Sequence, residues 1–211
     1  MSQPFPAEAL KSVTYLHVSY ARSLNGLSKF PGLEILQLIG CDPVDLSQLG
    51  ELPELFSLVV NFSNLKDLTG IGERFPRLRR FEAGMNRIED LSPLLESPNL
   101  RRLDIRGNPL SEDSFRGIPQ KLKSNGVRVS LSEEPDWRVN LELQRHGLPL
   151  GFYHAHDGTR LCRTGLAETN LPDLSHPIVS REVLAGVLAR DPAEVQRLFD
   201  RADLMPTTIG P

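Results

Sequence analysis

Residues 98–110 read PNLRRLDIRGNPL, and this stretch decides the fold. Its apolar and amide positions fall in a fixed order: Leu100, Leu103, Ile105, Asn108 and Leu110. Successive side chains of a strand point to opposite faces, so Leu103 and Ile105 enter one core together. Leu100 enters the same core from the preceding turn. The stretch therefore predicts a short strand with one apolar face.

The same order recurs upstream about every 22 residues. The first apolar position of each unit falls at residues 13, 33, 55, 78 and 100, in steps of 20, 22, 23 and 22 residues. Four of these five units have a proline two places earlier: Pro31, Pro53, Pro76 and Pro98. A unit repeated at a fixed period is typical of solenoids, in which each unit buries its apolar face by stacking on its neighbours.

The pattern resembles that of leucine-rich-repeat proteins, L-x-x-L-x-L-x-x-N-x-L, and within them the short bacterial or SDS22-like class, over about residues 10–131. The resemblance implies an α/β repeat fold: a right-handed leucine-rich-repeat solenoid of about five to six coils with a parallel concave sheet. Asn86 and Asn108 fit the asparagine position, whereas Ala21, Cys41 and Ser63 replace it. We expect each asparagine side chain to bond backbone groups where the chain leaves the strand.

We predict two parts of the chain, a repeat domain with an N-terminal cap at 1–131 and a small α+β extension at 132–211. In the extension, Asp157-Gly158 indicates a hairpin over about 150–163. Capping residues indicate two short helices at about 181–202, followed by a flexible tail. Residues 132–136 read as a linker. The extension is interpreted as a cap, a separate module or part of the binding site.

A candidate binding surface follows from the strand positions that alternate with the buried ones and therefore face solvent. Its residues are Tyr15, His17, Tyr20, Ile35, Gln37, Ile39, Val59, Asn61, Phe62, Arg80, Glu82, Arg102, Asp104 and Arg106. The first coils contribute apolar and aromatic side chains and the last coils contribute arginines, which are typical interface anchors. Two alternatives stay open. The apolar residues are sealed under the chain's own ends, or the arginines are neutralised by neighbouring glutamates.

Composition narrows the kind of partner. A net charge of −3 and a pI near 6.0 argue against a strongly basic nucleic-acid-binding protein. No apolar run approaches the roughly 18 residues of a membrane helix, and the first residues lack the features of a signal peptide. We expect a cytoplasmic protein, monomeric when free, that binds another protein and no nucleic acid, membrane or cofactor. Cys41 and Cys162 are expected to be buried thiols.

The motif His154-x-His156-Asp157 is the one cluster of ligand-capable side chains. The two histidines share a strand face and, with Asp157 or His146, form a candidate metal site; Cys162 is a candidate nucleophile across the hairpin. We favour a polar hairpin, because the histidines sit next to a turn and no matching third and fourth ligands recur. We favour a structural cysteine, because no activated-nucleophile motif occurs, and the sequence has no phosphate loop. The sequence thus predicts a non-enzymatic protein-binding module with no metal. The alternatives are an immunity protein that neutralises a bacterial toxin or enzyme, and an enzyme built on the hairpin.

Overall fold

The structure is a computed structural model that describes residues 7–42, 44–165 and 175–206. Its main feature is a six-stranded parallel sheet: β1 (Tyr15–Ser19), β2 (Ile35–Ile39), β3 (Ser57–Asn61), β4 (Arg80–Glu82), β5 (Arg102–Asp104) and β6 (Arg128–Ser130). The strands pair in chain order, so each coil stacks on the one before it. The predicted parallel leucine-rich-repeat sheet is confirmed.

Strand register places the apolar residues of the repeats in one row, which is buried in the middle and partly buried at its two ends. The residues paired in succession are Leu16, Leu36, Leu58, Phe81, Leu103 and Val129. Leu36, Leu58 and Leu103 are fully buried, and burying one leucine side chain contributes roughly 1.5–3 kcal/mol. A core of stacked aliphatic side chains therefore holds the coils together.

Short helices close the coils on the convex side. They are α1 (Ala7–Lys11), α2 (Ile71–Arg74), α3 (Glu112–Arg116), α4 (Ile118–Ser124), and 3₁₀ helices at Leu27–Lys29, Leu46–Leu49 and Ser92–Glu96. Side-chain caps start two of them: Asp45 accepts a hydrogen bond from the Ser47 amide, and Ser111 from the Ser114 amide.

A ladder of side chains joins the coils behind the strands, as the repeat pattern predicts. The Asn86 Oδ1 accepts from the amides of Ser63 and Leu65, at 2.9 and 3.1 Å, and its Nδ2 donates to Val60 O at 2.5 Å. Asn108 repeats the arrangement one coil on, accepting from the Ile88 amide at 3.0 Å. Ser63 continues the ladder upstream. Its hydroxyl accepts a hydrogen bond of 3.1 Å from the amide of Cys41, the equivalent residue of the preceding coil.

Residues 132 and 133 are irregular and a helix begins at Glu134, so the interpretation of residues 132–136 as a linker is wrong for its last three residues. Helix α5 (Glu134–Arg145) starts there, with Pro135 in its first turn, where the missing amide costs nothing. Trp137 of this helix is 1% exposed and belongs to the core of the repeats. Helix α5 thus covers the last coil directly.

The rest of the extension has its own core. The predicted hairpin is present as β7 (Leu150–Ala155) and β8 (Gly158–Arg163), and the helices as α6 (Arg181–Arg190) with 3₁₀ helices at Pro192–Asp200 and Ala202–Leu204. The Asn140 side chain fastens α5 to β7, accepting from the Phe152 amide at 2.7 Å and donating to its carbonyl at 2.8 Å. The predicted tail falls in part at 207–211, outside the described residues, as do residues 1–6 of the predicted cap.

Candidate protein-binding surface

The concave sheet presents two parallel rows of side chains, one at the start of the strands and one two residues later. The first row consists of Tyr15, Ile35, Ser57, Arg80, Arg102 and Arg128. The second row consists of His17, Gln37, Val59, Glu82, Asp104 and Ser130. Because the pairing is in register, each row runs straight across the strands.

The apolar end of the surface lies on β1 and β2. Tyr15 is 51% exposed, and its hydroxyl donates to Gln37 Oε1 at 3.3 Å. Ile35 and Ile39 are half-buried on the neighbouring strand, and His17 is exposed. The strand register places Ile35 beside the Tyr15 ring, and Ile39 lies on the same face at the other end of β2, beside Ser19.

Val59 does not belong to the accessible surface, contrary to the sequence-based expectation. It is 7% exposed, and Ser57 in the first row is 6% exposed, so β3 is buried on both faces. Val59 lies between Gln37 and Glu82 of the adjacent strands, whose longer side chains flank it. The apolar zone is therefore confined to the first two strands.

Phe62 faces the extension, which is the alternative that the sequence left open. Its ring centroid lies 6.2 Å from that of Tyr153 and 5.6 Å from that of His176. Its carbonyl accepts a hydrogen bond of 2.8 Å from the Gly165 amide. The neighbouring Asn61 side chain accepts from the Gly84 amide at 2.8 Å and so binds the adjacent coil. Both residues are half-buried, and Phe62 helps to hold the extension.

Tyr20, Phe62 and Met85 share a feature that the sequence did not reveal. All three occupy the same repeat position, five residues after the first residue of the strand, where Gly40 and Gly107 stand in other coils, and all have φ between 51° and 56°. This left-handed conformation costs a residue with a side chain about 1–2 kcal/mol of conformational energy. The Tyr20 ring lies over Gly40, because a Cβ added there would meet it at 2.9 Å. The repeat turn imposes the conformation, and no residue type signals it.

Ion pairs neutralise some of the arginines but not all. Glu82 accepts from Arg80 at 2.7 Å and lies 3.4 Å from Arg102. Asp104 holds Arg106 through both oxygens, with a shortest distance of 2.6 Å, and this hydrogen bond raises the pKa of Arg106 above its ordinary value. Within residues 7–42, 44–165 and 175–206, no carboxylate pairs with Arg128.

A cavity of about 630 Å³ lies between the carboxyl ends of β3–β5 and the extension. Its lining residues are Asn61, Phe62, Glu82, Gly84, Met85, Asp104, Arg106, Leu131, Ser132, Glu133, Asp136, Tyr153 and His154. Asp136, with a side chain 5% exposed, accepts from Arg181 at 3.2 Å and lies 3.1 Å from His154 Nδ1. The sequence did not associate these extension residues with the sheet, because no repeat register fixes where they lie.

The candidate catalytic residues are not brought together. His154 lies against Asp136, whereas Arg160 pairs with Asp157 and lowers the pKa of that carboxyl. Cys162 is fully buried opposite Gly151, and Cys41 is buried in the repeats, with no disulfide between them. No group of three metal-binding side chains occurs in the described ranges.

Comparison with known proteins finds partial similarity to solved internalin structures. No family model matches the sequence, and no curated protein matches it. Internalin C2 of Listeria monocytogenes is 26% identical, with 58% of this chain and 53% of that chain covered and a TM-score of 0.47. An internalin F from the same organism is 19% identical, with 64% and 47% covered and a TM-score of 0.45. The chain therefore spans about half the length of these proteins.

The chain's own sheet, register and asparagine ladder define a leucine-rich-repeat solenoid with a C-terminal extension. In the described part of the chain, none of the helices is long and apolar enough to cross a membrane.

Proposed function

We propose that this protein is a non-enzymatic binding module that holds a partner protein on its concave sheet. The observation that carries the proposal is the pair at the start of β1 and β2, where Tyr15 is 51% exposed beside half-buried Ile35. Half-buried Ile39 extends the apolar surface to the other end of β2. Exposed aromatic and aliphatic side chains grouped on one face are characteristic of interaction sites. The remaining surface of the proposed site comprises His17, Tyr20, Gln37, Arg80, Glu82, Arg102, Asp104 and Arg106.

Further features support narrower assignments within this proposal. Repeat steps of 20 to 23 residues and short convex 3₁₀ helices support the short bacterial or SDS22-like class. Buried Cys41 and Cys162 that form no disulfide with each other support a reducing compartment such as the cytoplasm. Trp137 in the core of the repeats supports a capping role for residues 132–211.

The test is affinity capture from the lysate of the native host with wild type and a Tyr15→Asp/Ile35→Asp variant. The matched control is Leu95→Asp, which changes a 37% exposed apolar residue in the 3₁₀ helix Ser92–Glu96. Thermal melting must show that all variants stay folded. We expect a partner that wild type and the control capture and the concave variant loses, and its identity shows whether it is a toxin or an enzyme.

Equal capture by all three proteins would show that the apolar end of the sheet does not bind the partner. A His154→Ala/His156→Ala variant tests the enzymatic rival on the same samples. We expect this variant to keep the partner, since neither histidine lies at the apolar end of the sheet. A catalytic activity that disappears with these two histidines, or stoichiometric metal in the purified protein, would contradict the proposal.

A further inference from the structure

The first row ends in three arginines at identical positions of adjacent strands. The register pairs Arg80 with Arg102, and Arg102 with Arg128. All three are exposed, with side-chain exposures of 48% for Arg80 and 57% for Arg102. Neighbouring strands lie about 4.8 Å apart, so the three positions span about 10 Å across the sheet.

The carboxylates of the sheet leave this row positively charged. Glu82 alone serves two of the three arginines. Asp104 is held through both oxygens by Arg106 and is therefore engaged elsewhere. Arg79 and Arg101 stand beside the row at the start of the strands, and Arg101 donates to main-chain carbonyls rather than to a carboxylate. The row thus carries three guanidinium groups against one shared carboxylate.

We propose that the row Arg80–Arg102–Arg128 binds an acidic helix of the partner protein, lying across the strands. Side chains at positions i, i+4 and i+7 of a helix share one face and span about 10.5 Å, which matches the distance across the three arginine positions. Carboxylates on that face meet each guanidinium in turn and form charge-assisted hydrogen bonds. This inference rests on the proposed function and specifies the chemistry of the partner.

The second row argues for a protein rather than a nucleic acid. Glu82 and Asp104 lie two residues further along the same strands, about 7 Å from the first row, and are 17% and 13% exposed. A nucleic acid lying along the first row would bring its phosphates close to these carboxylates, and the two negative charges would repel each other. A helix places its negative charges on one stripe only, and neutral or basic side chains can face the second row.

The experiment measures binding of a labelled helical peptide by fluorescence anisotropy, with the full chain at low salt. The probe is an alanine-based helix of about 18 residues with three glutamates at i, i+4 and i+7. Its control has the same composition with the glutamates on three different faces. The protein variant is Arg80→Gln/Arg102→Gln/Arg128→Gln. The matched variant, Arg138→Gln/Arg145→Gln/Arg190→Gln, removes the same charge from exposed positions of α5 and α6.

We expect the one-face peptide to bind wild type and the matched variant about tenfold more tightly than it binds the row variant, as three exposed ion pairs acting together allow. Added salt should weaken the binding. Equal affinity for both peptides, undiminished binding by the row variant, or no binding overturns the inference. Tighter binding of a single-stranded oligothymidine also overturns it, because the row then recognises phosphate.

The capture experiment distinguishes a failure of this inference from a failure of the proposed function. If the row variant keeps the captured partner while Tyr15→Asp/Ile35→Asp loses it, the acidic helix is wrong and the binding surface stands. If the row binds the one-face peptide but the Tyr15→Asp/Ile35→Asp variant still captures the partner, the row assignment stands and the proposed apolar contact is wrong.

Discussion

The indole Nε1 of Trp137 donates a hydrogen bond of 2.8 Å to the main-chain carbonyl of Leu110, in the last asparagine-bearing coil. The Trp137 ring also stacks on Phe115, with centroids 4.0 Å apart and planes 4° apart. With this side chain, and with the partly buried Leu141 of the same helix, the extension covers the apolar end of the repeats, which a solenoid must shield from water.

Replacing Trp137 should show how much this closure contributes. We expect Trp137→Ala to lower the free energy of unfolding by about 3–5 kcal/mol, the usual cost of truncating a buried aromatic residue. Trp137→Phe keeps most of the packing and leaves the Leu110 carbonyl without its partner, for a loss of about 1–3 kcal/mol. Urea denaturation measures both. A loss below about 1 kcal/mol for Trp137→Ala would mean that the end of the solenoid is closed by other contacts.

The asparagine ladder predicts a large difference between two amide side chains in neighbouring coils. Asn86→Ala leaves the buried amides of Ser63 and Leu65 without an acceptor, and each such group costs about 1–3 kcal/mol. Asn99 is exposed and donates once, to Pro76 O, so Asn99→Ala should cost less than about 1 kcal/mol. Comparable losses in denaturation experiments would contradict the role given to the ladder.

Alanine substitutions at two glycines should distinguish the cost of backbone strain from the cost of a side-chain clash. Gly107 and Gly126 have φ of 74° and 81°, so an alanine at either costs about 1–2 kcal/mol. At Gly107 the new Cβ also meets Met85 at 3.0 Å, whereas at Gly126 nothing lies within 4 Å. We expect Gly107→Ala to be the more destabilising in thermal melts. Adding Met85→Ala to Gly107→Ala should remove the additional loss of stability that the contact causes. If the losses of the two single variants simply add up in the double variant, the contact is ruled out.

Two turn aspartates should make stability depend on pH. The Thr69 hydroxyl and amide lower the pKa of Asp67, and the Ser92 amide and hydroxyl lower the pKa of Asp90. A carboxyl whose folded pKa is depressed stabilises the fold above its unfolded pKa, about 3.9, and this stability is lost as pH falls through the folded pKa.

The measurement compares wild type with Asp67→Asn/Asp90→Asn by denaturation at about pH 7, 5 and 3. We expect wild type to be the more stable at the two higher pH values and the difference to shrink at the lowest. A difference that stays constant over the whole range would show that the two carboxylates do not act through their charge.

The repeat pattern specified much of the fold because each position has one physical role in every coil. Leu103 must enter the core and Asn108 must bond the backbone, so their spacing alone predicts strand, turn and stacking. The first row follows from the same alternation, and Tyr15 and Arg102 are exposed as expected. The division of the chain at residue 131 stays a prediction.

The rest depended on contacts between distant parts of the chain, which periodicity does not encode. Val59 has the sequence position of an exposed residue but is buried. Phe62 meets Tyr153 and His176, about 90 and 110 residues later in the chain. Which arginines have a carboxylate of their own also depended on distances, since Glu82 is shared by Arg80 and Arg102 while Asp104 pairs with Arg106.

The closure by Trp137 restricts how this protein can change in length. A further coil added after β6 would separate the indole from the Leu110 carbonyl and expose the core that it covers. A complete unit of about 22 residues inserted between existing coils would keep that contact, the ladder and both rows in register. The sheet of such a chain must therefore lengthen or shorten inside the array, by one whole coil at a time.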